Sequence, residues 1–310
     1  MKKRSSMKLN TVKKDGSKPY LIFDATAIAY AAFYSTGSLT YRGKQTGVIY
    51  GFVRRLMNIG YKYKTDKMIF CWDAGKSYRH NHYPQYKRNR EKKKIEFSPA
   101  EKKLHDGLLF QSLQLNHEIL PRMGLRNSFC VLDYEADDLV AYFVNKLNGS
   151  KIIVGDDSDL YQLLDRSDMH LLKKNKRVNK KWFKKKFGIH PDQWVEAKAI
   201  GGCAIDNIIG IQGVADPKSP SSKALKYIRG ELNAGKIYDR ITSKEGQQII
   251  TRNRPIVTVP YLPDLIPRLM YRRHKVTRNK LLREFDRWHF VSMLEDDNFK
   301  KWQRIFLHGT

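Results

Sequence analysis

Short apolar runs recur along the first half of the chain, and a helix-like stretch follows most of them. Four of the five runs end in an aspartate or are followed by one directly. Strands that alternate with helices are typical of parallel sheets, so the pattern predicts an α/β fold with a largely parallel sheet flanked by helices. The runs span residues 21–23, 67–73, 127–133, 151–155 and 169–172.

The pattern changes after about residue 190, where turns rich in Gly and Pro separate helix-like segments. Such punctuation predicts a mostly helical region with irregular connections. We therefore expect a basic flexible tail over residues 1–18, an α/β domain over 19–190 and a helical region over 191–310.

Acidic residues gather at the predicted strand ends, in "LIFD", "CWD" and "GDDSD", and at one predicted helix start, "YEADD". Ligands of open α/β sheets bind outside the carboxyl ends of the strands. Carboxylates this close repel each other unless a cation lies among them, and oxygen ligands suit Mg²⁺ or Mn²⁺. Their number exceeds the needs of one octahedral ion, so we expect two ions, as in phosphoryl-transfer sites. The candidate ligands are Asp24, Asp73, Glu135, Asp137, Asp138, Asp157, Asp159 and Asp206.

Each acid taken singly has a structural explanation as well as a functional one, because acidic side chains commonly stabilise helix N-termini. Asp133, Asp156 and Asp165 are expected to be structural or solvated. The coincidence of several acidic strand ends in one chain favours a site, since the chain otherwise carries 59 Lys and Arg against 31 Asp and Glu.

The formal net charge of +28 indicates an anionic partner. Nucleic acid is the expected partner, and an anionic membrane is the alternative. No apolar run approaches the roughly 20 residues of a spanning helix, so we expect no membrane association. The three cysteines form no CxxC pair, and the basic N-terminus lacks the apolar core of a signal peptide, which predicts a reducing, cytoplasmic location.

The ordered segments "LIFDATAIAY", "IFCWDAGKSYRHNHYPQYKRNR", "DYEADDLVAYFV", "GDDSDLYQLL" and "CAIDNIIGIQG" resemble the motifs of the 5′ nucleases over residues 19–230. That family includes phage 5′-to-3′ exonucleases, flap endonucleases and the N-terminal nuclease domain of bacterial DNA polymerase I. The resemblance implies a PIN-like fold, two divalent ions and hydrolysis of phosphodiesters in DNA with a 5′ flap, a nick or a single-stranded 5′ end, with RNA–DNA hybrid as a further substrate. It implies a monomer that acts in replication or repair with other replication proteins.

The resemblance also divides the acids. Asp157, Asp159 and Asp206 belong to the second metal region, and the aspartate expected three residues before Asp206 is Cys203 here. The first metal region comprises Asp24, Asp73, Glu135, Asp137 and Asp138, with Asp24 and Asp73 also counted as catalytic.

Residues 79–110 correspond to a helical arch through which a single-stranded 5′ end passes. Within the arch, the resemblance places Lys87 on the scissile phosphate and Arg90 on the charge that develops during the reaction. Arg79 is a further DNA-binding position, and Tyr86 is expected to stack on a base.

Residues 191–230 correspond to a helix–three-turn–helix element that binds duplex phosphates through its backbone amides. Gly210 and Gly213 match its first two glycines, and a monovalent cation is expected beside them. Lys218, Lys223 and Lys226 are expected to contact phosphates.

Two other functions remain open from the sequence. A PIN-type ribonuclease would share the acidic site but lacks the arch and the "GIQG" segment. A structure-specific DNA-binding protein with an impaired metal site is supported only by Cys203.

Overall fold

The protein is described by a computed structural model that covers residues 18–307, apart from the side chains of Lys93 and Lys94. The predicted tail lies outside the described residues except for Lys18. No helix in the described range is long and apolar enough to cross a membrane.

A six-stranded sheet forms the centre, with strand order β5-β4-β1-β6-β7-β8. All neighbours are parallel except β8, which pairs antiparallel with β7 at one edge. The predicted largely parallel sheet is therefore confirmed. The strands of this sheet are β1 (Tyr20–Asp24), β4 (Met68–Trp72), β5 (Ser128–Cys130), β6 (Lys151–Gly155), β7 (Asp168–Leu171) and β8 (Lys176–Val178).

Two short antiparallel ribbons lie outside this sheet: β2 (Thr40–Tyr41) with β3 (Lys44–Gln45), and β9 (Gly202–Cys203) with β10 (Ile208–Ile209). The second ribbon follows the helix that ends at Gly201 and brings residues 203–207 toward the central sheet.

Helices make up most of the remaining structure. The first seven are α1 (Ala25–Thr36), α2 (Gly47–Tyr63), α3 (Tyr78–His82), α4 (Arg88–Ile95), α5 (Pro99–Gln114), α6 (Leu120–Arg122) and α7 (Ala136–Lys146). The others are α8 (Lys180–Phe187), α9 (Trp194–Gly201), α10 (Lys223–Ile228), α11 (Lys236–Thr242), α12 (Lys244–Val257), α13 (Arg278–Arg287), α14 (Val291–Leu294) and α15 (Asp296–Phe306). A π-helical turn spans Leu115–Ile119, and short 3₁₀ turns span Ser158–Leu163, Pro191–Gln193 and Pro263–Leu265.

The central strands are buried on both faces, as their nearly continuous apolar runs require. Alternate residues of β1 illustrate this, because Leu21 and Phe23 face one core while Ile22 faces the other. Helices α1 and α2 cover the first face, and α7 covers the second face.

The C-terminal helices complete the first face. Trp302 and Ile305 of α15 and Phe285 of α13 are buried in the same core as α2. Trp194 of α9 joins the core on the second face. Residues before and after position 190 thus pack in the same hydrophobic cores. The domain boundary near residue 190 stays a prediction.

A third core lies beside the sheet and joins the segment after α3 to α9 and α12. Tyr83 and Tyr86 pack there with Ile200, Ile250 and Ile256. This core fixes the start of α4 against the later helical region, which positions the basic residues described below.

Candidate active site

The carboxyl ends of β1, β4 and β6 lie side by side because these strands are adjacent and parallel. Asp24 ends β1 and caps α1 by accepting a hydrogen bond from Ala27 N at 2.9 Å. Asp73 follows β4 and accepts from Ala136 N, at the start of α7, at 2.7 Å. Asp157 follows β6 and accepts from Asp159 N at 2.8 Å. Each carboxylate is therefore held in place by backbone amides.

These side chains line one cleft of about 340 Å³ together with acids and bases from other segments. Seven of the eight predicted metal ligands line this cleft, and the eighth, Asp138, does not. The two predicted catalytic cations, Lys87 and Arg90, also line it. The charged lining residues include Asp24, Asp73, Glu135, Asp137, Asp157, Asp159 and Asp206, with Lys87 and Arg90.

Three of the acids have cationic partners and are called the paired group: Glu135, Asp159 and Asp206. Lys87 Nζ lies 2.7 Å from Glu135 Oε1, and Arg90 Nη2 lies 2.6 Å from Asp206 Oδ1. The third partner is Lys198, whose Nζ lies 2.7 Å from Asp159 Oδ1. These acids are already balanced by charges of the protein itself.

The other four acids are called the sheet-edge group: Asp24, Asp73, Asp137 and Asp157. No Lys, Arg or His nitrogen lies within salt-bridge distance of them among the described residues. Asp137 is the most isolated, because its Oδ1 is buried and finds no hydrogen-bond partner in the described part of the chain. Uncompensated carboxylates in a confined space call for a cation from outside the protein.

The pKa values of four of these acids reflect this difference. Burial, reinforced by Asp73, raises the pKa of Asp24 to about 8, and burial with the neighbouring Asp159 raises the pKa of Asp157 to about 6. Burial and the charge of Asp157 also raise the pKa of Asp137. Burial opposes ionisation of Glu135 as well, but Lys87 and Arg79 outweigh it and lower its pKa to about 2.

Asp138 was predicted to bind metal and Arg79 to contact DNA, and the structure pairs them with each other instead. Arg79 Nη1 and Nη2 donate to the two carboxylate oxygens of Asp138 at 2.6 and 2.7 Å, and both side chains are buried. Asp138 Oδ1 also accepts from Tyr261 N at 2.8 Å. Bidentate pairs of this kind fix geometry, so the two residues brace α3 against α7.

Tyr86 was expected to stack on a base, and the structure gives it a different task. Its ring is 4% exposed, and its hydroxyl donates to Glu135 Oε2 at 2.9 Å. Ser77 Oγ donates to the same carboxylate at 3.3 Å. Tyr86 thus holds Glu135 in place and offers no free face for stacking.

The start of α4 lies directly at the cleft. Lys87 adopts φ +55°, a left-handed conformation, and its N–H donates to Asp206 O at 2.8 Å. Asn89 Nδ2 donates to Ala204 O at 2.9 Å. These contacts anchor the base of the predicted arch to the turn that carries Asp206.

The residues present suit a hard divalent cation by chemistry, since all candidate ligands are carboxylates and Asp137 has an unpartnered buried oxygen. No three His, Cys, Asp or Glu side chains between residues 18 and 307 form a ready-made ligand cage. Cys203 adds no carboxylate. Its buried Sγ lies 3.6 Å from Asp206 Oδ2, and burial raises the pKa of this thiol to about 12.

The "GIQG" segment follows α9 and the β9–β10 ribbon. Gly210 packs so closely on Gly201 that a Cβ atom would lie 2.3 Å from the Gly201 carbonyl carbon. Gly213 has φ +83°, and its carbonyl oxygen accepts from Lys223 Nζ at 2.9 Å. A monovalent cation at this turn would therefore compete with a lysine of the chain itself. The DNA-binding roles of these residues stay predictions.

The other two predicted phosphate contacts, Lys218 and Lys226, are both exposed. Lys218 is largely exposed and lies 3.4 Å from Asp216 Oδ2, and Lys226 is exposed on α10. Both are accessible to a phosphate backbone.

The sequence prediction missed several residues of the cleft. Tyr30 and Tyr34 of α1 line its wall, and Tyr34 is 81% exposed. Lys198, which pairs with the cleft residue Asp159, was missed as well, although a lysine between the alanines of "VEAKAIGG" is an unusual signal in a buried helix. Thr26 Oγ1 accepts from Asp73 N at 3.0 Å and orients that strand end.

The sequence is similar to those of known 5′-3′ exonucleases. The model of the 5′-3′ exonuclease N-terminal resolvase-like domain matches residues 19–188. The 5′-3′ exonuclease of Buchnera aphidicola subsp. Acyrthosiphon pisum is 29% identical over 232 residues, covering 73% of this chain and 75% of that protein. The 5′-3′ exonuclease of Aquifex aeolicus is 31% identical over 216 residues, covering 68% and 70%.

The fold is similar to that of T5 5′-exonuclease, solved with bound divalent zinc ions. The TM-score is 0.67 at 20% identity, and the match covers 88% of this chain and 99% of that chain. The family model spans more than half of the 310 residues. The chain therefore belongs to the 5′-3′ exonuclease family.

Proposed function

We propose that this protein is a structure-specific 5′ nuclease that hydrolyses phosphodiesters in DNA with a 5′ flap, a nick or a single-stranded 5′ end. One observation carries the proposal: a single cleft joins four uncompensated carboxylates at the sheet edge to Lys87 and Arg90 at the base of α4. Carboxylates that bind cations, next to bases that bind phosphate, suit phosphodiester hydrolysis.

The sheet-edge group would hold the divalent ion, and we propose Mg²⁺ or Mn²⁺, with two ions in the active enzyme. A bound divalent ion would activate water and neutralise charge on the phosphate. Members of the paired group would bind the second divalent ion only if the lysine or arginine that each one pairs with moves aside.

Lys87 and Arg90 supply positive charge to the phosphate. Each now binds a carboxylate at the cleft wall, and their side chains are 21% and 48% exposed. A phosphate oxygen can replace the carboxylate as acceptor, because the same ammonium and guanidinium donors suit both anions. Glu135, fixed by Tyr86 and Ser77, keeps Lys87 protonated and directed into the cleft.

The basic surface of the chain would hold the rest of the substrate. The proposed DNA contacts include the exposed cations of α4 and those near Gly213, with RNA–DNA hybrid as a further substrate. A monomeric state, replication proteins as partners and a cytoplasmic location remain part of this proposal.

The test compares labelled 5′-flap DNA, nicked duplex and RNA–DNA hybrid of the same sequence, with Mg²⁺ and with EDTA. We expect Mg²⁺-dependent release of 5′ fragments from the flap, and no release by Asp73→Asn. Cleavage of RNA without cleavage of flap DNA would favour a ribonuclease. Flap binding without cleavage, even with Mn²⁺, would favour a DNA-binding protein with an impaired site.

A further inference from the structure

Lys198 is a buried cation that pairs with Asp159, an acid of the cleft wall. Its side chain is 3% exposed, and its Nζ lies 2.7 Å from Asp159 Oδ1 and 3.2 Å from Asp216 Oδ1. It reaches both carboxylates from the middle of α9, among the buried residues Ala197 and Ala199. One buried ammonium group thus pairs with two carboxylates.

This placement separates Lys198 from the other two cations that pair with acids of the paired group. Lys87 and Arg90 are partly exposed, so their head groups can turn from a carboxylate to a bound phosphate. Lys198 has no such route, because its side chain is buried and leaving Asp159 would remove the cationic partner of that carboxylate. Its role is therefore tied to the acids around it.

The neighbouring position supports the same conclusion. Cys203, buried beside Asp206, contributes a thiol, which is a poor ligand for a hard cation. On this side of the cleft, the Lys198 charge is already present and one oxygen donor fewer is available. The sheet-edge group, by contrast, has no protein cation within salt-bridge distance in the described residues.

We propose that Lys198 is an internal counter-cation that makes the sheet-edge group and the paired group bind divalent ions with strongly unequal affinities. The first ion binds the sheet-edge group, and a second ion must displace the Lys198 ammonium from Asp159. The inference rests on the proposed function only in that the cleft binds divalent ions at all.

Titration of the full chain with Mn²⁺, without DNA, tests this proposal, with free Mn²⁺ measured by electron paramagnetic resonance. We expect one tight ion and a second at least about tenfold weaker. In Lys198→Met, which removes the charge at similar side-chain length, the weaker affinity should rise about tenfold while the tight one stays within about threefold. Two equally tight ions in the wild type, or an unchanged weak affinity in Lys198→Met, would overturn the proposal.

A second pair of variants covers the case in which Lys198→Met does not fold. Asp159→Asn leaves Lys198 partnered by Asp216, and we expect the tight Mn²⁺ affinity to stay within about threefold. Asp157→Asn, in the sheet-edge group, should lower that affinity at least about tenfold. Equal losses in both variants would contradict the division of the cleft.

Lys180→Met is the matched control, because it removes a lysine paired with Asp165 outside the cleft. Its Mn²⁺ titration should match that of the wild type. A wild-type protein that binds no Mn²⁺ would overturn both the inference and the metal part of the proposed function. Two equal sites together with flap cleavage would overturn the inference alone.

Discussion

The sheet-edge group and the paired group face the same cleft, but they reach charge balance in opposite ways. Asp24, Asp73 and Asp157 stand at strand ends and accept hydrogen bonds from backbone amides, and Asp137 stands at the start of α7. Glu135, Asp159 and Asp206 each bind a lysine or an arginine of the chain. The first group is poised for an ion from solution, whereas the second group is stable without one.

Replacing a sheet-edge acid should have the largest effect on activity. Asp157→Asn removes a charge that has no protein partner, and we expect flap cleavage to fall roughly a thousandfold, or about 4 kcal/mol of transition-state stabilisation. The adjacent Asp156 is the matched control. It accepts hydrogen bonds from Lys173 N at 3.1 and 3.2 Å, and Asp156→Asn should stay within about threefold of wild type. Single-turnover rates of flap cleavage in Mg²⁺ measure the effect of each variant. Similar losses of rate in the two variants would contradict the different roles of Asp156 and Asp157.

Removing a buried partner should show most strongly in stability. Arg79→Met leaves Asp138 as an unpaired buried charge, so the free energy of unfolding should fall by about 3–5 kcal/mol in urea titrations. Lys180→Met breaks the exposed pair with Asp165 and should cost at most about 1 kcal/mol. A small loss in Arg79→Met would mean that Asp138 is not held as the structure indicates.

The pH dependence of stability should separate the two groups further. The pKa of Asp24 is raised to about 8 from its usual 3.8, so the unfolded chain releases a proton that the folded chain keeps. The contribution of Asp24 to metal-free stability is thus full below pH 3.8 and is lost as the pH rises toward 8. The stability difference between wild type and Asp24→Asn in EDTA should fall over this range, and Mg²⁺ should reverse the fall. A difference that does not change with pH would contradict the raised pKa.

The smallest effect should come from replacing Lys218, the exposed lysine that shares Asp216 with Lys198. Lys218 is 61% exposed and lies 3.4 Å from Asp216, so Lys218→Gln should leave Mn²⁺ binding unchanged. DNA binding should weaken a few-fold, and the slope of log affinity against log salt should fall by about 1. Unchanged salt dependence would remove Lys218 from the DNA surface.

Much of the fold could be predicted, because apolar periodicity reports burial directly. All five predicted strands are present, and the acids that follow or end β1, β4 and β6 meet at one edge because parallel strands end on the same side. The antiparallel β8 was not predicted. Its short polar sequence, "KRV", carries no comparable apolar signal.

The different roles of Asp137 and Asp138 could not be predicted from their sequence. Successive helical residues point about 100° apart, so only one of two adjacent acids at the start of α7 can face the cleft. Asp137 does so, whereas Asp138 turns toward Arg79, a residue 59 positions away in sequence. Contacts over such distances depend on tertiary packing, and the same holds for Tyr86 with Glu135.

The packing of α15 against α2 has a consequence for the order in which the protein folds during synthesis. Ile305 lies so close to Gly60 that a Cβ atom on that glycine would approach its Cδ1 to 3.2 Å. Helix α2 leaves the ribosome early, whereas Trp302 and Ile305 are among the last residues described. The apolar face of α2 therefore stays incompletely covered on the nascent chain until α15 has emerged from the ribosome.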